Sequence, residues 1–159
     1  MNSHGPLRGA GRRPKSAGQA LVEFALVAPI FFLLLFGIIE AGRFILFYQT
    51  LNNATREGAR YAIVHGSNSF CPSGPMPPGQ SAPASCYDLA GAKVVQQVKD
   101  TAFGVLGASV VVTPSWGPTG NGRDSDVTVR ATYTYSTMVP LVPLPPITIT
   151  AESRLVINN

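Results

Sequence analysis

The sequence predicts an α+β bitopic membrane protein: a long N-terminal helix, transmembrane then amphipathic, followed by a second helix and a three-stranded antiparallel sheet. Three observations predict it. Phe24 to Ile39 is a run of sixteen uncharged, almost wholly apolar residues. From Glu40 to Val64 apolar side chains recur at three- and four-residue intervals, the period of a helix with one buried face. Beyond residue 108 the spacing changes to alternation in short segments parted by Gly and Pro, the period of half-buried strands.

Residues 1–18 form a basic leader. It is rich in Gly, Pro, Ser and Arg, with too few apolar groups to bury, so disorder is expected. Arg8, Arg12, Arg13 and Lys15 account for the whole formal charge of +4, leaving eight basic and eight acidic residues in the remainder. A chain beginning at Gln19 is formally neutral. The pI near 9.4 therefore implies no basic face, and nucleic acid is excluded as a partner.

The long helix is expected over 19–65, with its transmembrane half at about 20–40. Sixteen residues span roughly 24 Å at ~1.5 Å each, short of a hydrocarbon core of ~30 Å. Ala20, Leu21 and Val22 complete the span if Glu23 is tolerated. A carboxylate placed in lipid costs on the order of 3 kcal/mol, which marks Glu23 as a functional residue in need of a partner. Basic residues on the N-terminal side place the leader in the cytoplasm and the body outside it. A cleaved secretory signal would need a small-residue site after the apolar run, where the chain instead continues helically. Pro29 removes one backbone hydrogen bond. In the second half the buried stripe is expected to hold Phe44, Phe47 or Tyr48, Leu51, Thr55, Gly58 or Ala59, and Ala62 or Ile63. Glu40/Arg43 and Glu57/Arg60 are i,i+3 pairs, and His65-Gly66 is the stop.

Residues 66–87 form a Pro-rich loop. Cys71 and Cys86 bracket its least structured part, and on the non-cytoplasmic side such a pair predicts a disulfide. Closing about fifteen residues is worth roughly 3 kcal/mol in the chain-entropy model. The body, 88–159, opens with Asp88 as N-cap of a helix placing Leu89, Ala92, Val95, Val98 or Lys99, and Ala102 on one side, ended by Gly104 and Gly107. Strands are expected at Ser109–Thr113, Asp126–Tyr135 and Ile147–Ile157. Val127, Val129, Ala131, Tyr133 and Tyr135 share one face of the second, and Ile147, Ile149, Ala151, Ser153, Leu155 and Ile157 one face of the third. Pro114, Gly117, Pro118, Gly120, Asn121 and Gly122 mark one loop; Pro140, Pro143, Pro145 and Pro146 mark the other. Trp116 falls in the first of these and is expected as an exposed contact.

No catalytic constellation emerges, and no cofactor or metal site is expected. His4 and His65 have no metal-spaced or triad partner, and a Cys86 nucleophile paired with His65 is the nearest alternative. Asn53-Ala54-Thr55 matches a glycosylation sequon in mid-helix.

Gly18-Gln19-Ala20-Leu21-Val22-Glu23-Phe24-Ala25-Leu26-Val27, Pro29 and Ala54-Thr55-Arg56-Glu57-Gly58-Ala59-Arg60-Tyr61-Ala62 resemble the TadE-like family of the tight-adherence (Tad/Flp) pilus machinery. The resemblance implies a pilin-like fold and a minor pilin or pseudopilin, a structural subunit and not an enzyme. It implies processing by a prepilin peptidase at Gly18–Gln19, Glu23 as the acid that sets assembly register, and other pilins of the secretion system as partners beside the bilayer. The major pilins of the system are very short and carry Glu-Tyr where Glu23-Phe24 stands here, so the large body favours the minor-subunit class. The alternative is an uncleaved single-pass protein whose outer body binds a ligand or envelope partner.

Overall fold

The computed structural model describes residues 16–83, 85–106, 109–138 and 145–158. Leader residues 1–15, Gly107, Pro140 and Pro143 lie outside the described residues. Five elements follow in order: α1 (Ser16–Val64), α2 (Ala92–Leu106), β1 (Val111–Trp116), β2 (Asp126–Tyr135) and β3 (Ile147–Val156). The chain divides into two units, Met1–Ile38 and Ile39–Asn159.

The first unit contributes the apolar part of α1, which runs through Pro29. Its large side chains, from Leu21 to Ile38, stand exposed. Among the described residues α1 is the one helix long and apolar enough to cross a membrane. It already includes Ser16-Ala17-Gly18, ahead of the expected Gln19.

In the second unit the sheet has order β1-β2-β3, antiparallel throughout, with Val127 opposite Trp116 and Leu155, and Tyr135 opposite Ile147. Val127, Val129, Ala131 and Tyr135 of β2 are buried, as the alternation requires, while Tyr133 packs at the margin. Ile149 and Ala151 join them from β3, and Ile157 is buried one residue past its end. The two helices cover this face. α1 buries Leu51, Ala54, Thr55, Ala59 and Ala62, with Phe44 and Phe47 packed alongside, whereas Tyr48 points outward. Small residues permit the close approach: a Cβ on Gly58 would overlap Cγ2 of Val98 and touch Val129. Burying the sixteen apolar residues of this cluster, counted among the described residues, is the chief stabilising term, at roughly 25 cal/mol per Å² removed from water.

Four expectations need correction. α2 starts at Ala92, because Gly91 adopts a left-handed φ of 68° and Asp88 reaches across the turn to cap it. The later start rotates the buried stripe to Val94, Val98, Ala102 and Leu106, leaving Ala92 and Leu89 exposed and Val95 half-buried. β1 is displaced toward the C-terminus and contains Pro114, which an edge strand accommodates because its missing N–H faces away from the ladder. Trp116 is consequently the last residue of β1, half-buried rather than displayed, with its indole lying so close to Gly74 and Gly91 that a Cβ at either would overlap it. Among the described residues Glu57 and Arg60 form no ion pair, whereas Glu40 and Arg43 do, at 3.1 Å.

Candidate functional site

The residues singled out by sequence occupy separate places. Gly18, Gln19 and Glu23 lie in the first two turns of α1, within the first unit, and all three are exposed. Gln19 and Glu23 are four apart and share a helix face. A Cβ on Gly18 would meet nothing. The Gly18–Gln19 bond is helical, near the start of the described residues. Among the described residues the side chain of Glu23 has no hydrogen bond or ion pair.

Cys71 and Cys86 belong to the second unit, where they are joined, with Cα atoms 5.2 Å apart. The loop they close is built into the body. Ser73 pairs with Asp88, whose amide bonds back to the Pro72 carbonyl at 3.0 Å. Asp88 Oδ1 accepts from Ala92 N at 2.9 Å and Oδ2 from Lys93 N at 2.7 Å and Ser73 Oγ at 3.1 Å. Burial pushes its carboxyl up, but these donors outweigh it and hold it below the usual carboxylate range. Asn121, fully buried, ties the loop to the β1–β2 turn: its amide donates to the Pro75 carbonyl at 2.7 Å and its Nδ2 to the Ser73 carbonyl at 3.2 Å. Cys86 carries no thiol, and His65 places Nδ1 2.9 Å from the Tyr61 carbonyl. Thr55 of the sequon is buried. Among the described residues no three His, Cys, Asp or Glu side chains come together as metal ligands.

A further constellation stands where the apolar run ends. Glu40, Arg43, Phe44 and Phe47 follow one another at the spacing that makes a single helix stripe. That stripe meets Tyr133 and Tyr135, two residues apart and therefore on one face of β2. The Tyr135 hydroxyl donates to Glu40 Oε1 and lies 3.4 Å from the Glu40 carbonyl oxygen. The amide of Met138 donates to the same Oε1 at 3.3 Å, and Arg43 Nη1 lies 3.1 Å from Oε2. Tyr135 is 2 % exposed. Burial first, and the bond to Glu40 second, push its phenol up to about 12. Phe44 and Phe47 meet its ring edge to face at 5.5 and 5.4 Å, and the Arg43 guanidinium lies over the rings of Phe47 and Tyr135 at 5.5 and 5.6 Å. The cluster is a clamp between helix and sheet, with every charge in it paired. The sequence pairs Glu40 with Arg43 by spacing and sets Tyr135 on the face that Val127, Val129 and Ala131 share; the bond between Glu40 and Tyr135 leaves no local signal.

Residues 18–60 match the model of the family described as TadE-like protein. That segment contains Gly18, Gln19, Glu23, Glu40 and Arg43 and stops short of the disulfide and the sheet. No curated protein and no solved structure matches the chain.

Proposed function

We propose that this chain is a minor pilin or pseudopilin, anchored by α1 in the cytoplasmic membrane with its body outside, that contributes to a tight-adherence pilus by assembly and not by catalysis. The observation that carries this is the family match over 18–60, which sets Glu23 five residues after Gly18 in an otherwise apolar helix. On this view a prepilin peptidase cuts after Gly18 and removes the basic leader. Gly18 lowers the cost of unwinding the helix at the scissile bond by about 1 kcal/mol relative to Ala. Cleavage leaves an α-amine with a reference pKa near ~8, largely protonated at neutral pH. On a neighbouring subunit that cation offsets the desolvation of Glu23 and fixes the axial register of packed helices. The partners are the bilayer, the peptidase and other pilins of the same machine. Sequencing the N-terminus of the protein from cells tests the proposal: Gln19 as first residue supports it. An intact leader leaves instead a tethered, uncleaved single-pass protein.

A further inference from the structure

The end of the body that carries the Glu40 clamp also carries apolar side chains that stand exposed among the described residues. Met138 is 76 % exposed and Ile147, opposite Tyr135 at the mouth of the β2–β3 hairpin, is 42 % exposed. Pro145 and Pro146 beside them are exposed too. The connection from Ser136 to Pro146 contains no charged residue. Ile45 and Leu46, about 9 Å along α1 from Glu40, add two more exposed apolar groups. All belong to the second unit.

Glu40 fixes where this patch lies. It is the first charge after the sixteen-residue apolar run, and the amide of Met138 and the hydroxyl of Tyr135 both bond to it. The run is about 6 Å shorter than the hydrocarbon core, so the bilayer edge falls close to Glu40. Around Tyr135, which is itself buried, the half-buried Tyr133, Phe44, Phe47 and the paired Arg43 are of the kinds that suit a headgroup boundary. The opposite end of β2, some 30 Å away, differs in kind: the turn there presents Arg123 and Asp124.

We propose that the β2–β3 hairpin mouth, through Met138 and Ile147, docks on the outer leaflet of the bilayer that α1 crosses. The body then stands on lipid at a second point besides its helix, held at fixed height by the Glu40–Tyr135 bond. The occupant is a lipid surface, because Glu40, to which Met138 bonds, directly follows in sequence an apolar run that is long enough to enter a membrane. The proposal rests on α1 crossing the membrane and is independent of pilus assembly.

Nitroxide labels on single cysteines test it, since the native cysteines are joined to each other. The full chain carrying Met138→Cys, Arg123→Cys or Phe31→Cys is reconstituted in phosphatidylcholine–phosphatidylglycerol vesicles holding no other protein. Collision rates with oxygen, which favours lipid, and with a water-soluble nickel chelate are then compared. The Phe31 label reads the span itself. The expected result is an oxygen-to-nickel ratio at Met138 several-fold above that at Arg123 and approaching that at Phe31. A second variant, Met138→Cys with Ile147→Glu, is expected to lower the Met138 ratio toward the Arg123 value. A Met138 ratio equal to that of Arg123, with Phe31 in lipid, overturns the proposal and assigns the patch to a protein partner.

Discussion

Glu23 and Glu40 bound the same apolar run, with sixteen uncharged residues between them, yet their surroundings are opposite. Glu40 accepts from Tyr135, Met138 and Arg43, all within its own chain. Glu23 has no such donor among the described residues. A carboxylate whose donors come from the same fold serves that fold. One that lies near lipid without them is tolerable when another molecule brings the charge; under the proposed function that is the part of Glu23 in assembly, while Glu40 serves its own fold.

The largest expected effect tests that division directly. Glu23→Ala is expected to leave insertion and the thermal unfolding of the body unchanged while co-purification with other pilins falls at least about tenfold. Even half of the ~3 kcal/mol at stake for a charge in lipid corresponds to that factor. Glu40→Ala is expected to do the reverse. It strips Tyr135 and Met138 of their acceptor, so the Tm of the body falls while partners are retained. A shared phenotype in both assays would erase the distinction between the two acids.

A third region separates stability from assembly. Replacing Cys71 and Cys86 by Ser opens a loop with a sequence separation of 15, at an expected cost of about 3 kcal/mol in denaturant unfolding. Neither carboxylate is touched. Co-purification should therefore survive at temperatures where the body remains folded; its collapse to the Glu23→Ala level would show that assembly simply follows stability.

What sequence made legible follows the range of each interaction. α1, β2 and β3 announce themselves through local period, because which face is buried repeats every 3.6 or 2 residues. Trp116 was misplaced since Pro114 and Gly117 flank it as a loop would, and only the strand's edge position reconciles Pro114 with pairing. The α2 stripe was turned because Asp88 caps from beyond a left-handed Gly91, a detail that a one-residue N-cap pattern does not contain. Asn121 sits in a Gly-rich turn that reads as solvated, yet it is buried against carbonyls 46 and 48 residues upstream. The Glu40–Tyr135 bond joins positions 95 apart, fixed by how α1 lies on the sheet rather than by any local pattern. Glu23 was legible for the opposite reason: an acid in an apolar run is conspicuous without any structure.

The smallest expected effect sharpens the Glu40 half of the comparison. Tyr135→Phe keeps the ring against Phe44 and Phe47 and removes only the hydroxyl, so about 1 kcal/mol of stability is expected to go. The pH dependence gives it a distinctive signature. The phenol is raised from 10 in the unfolded chain to about 12 in the fold, because burial and the Glu40 carboxylate both disfavour the phenolate. Its contribution is therefore complete below about pH 10 and is lost as pH climbs from there through about 12, the unfolded state releasing its proton first. Denaturant unfolding of wild type is expected to weaken along that alkaline limb, while the Tyr135→Phe variant, which has no proton to lose at that position, keeps a flatter profile. The two stability curves should converge as pH rises. Parallel curves would mean that the hydroxyl is not held by Glu40, and the clamp would reduce to aromatic packing alone.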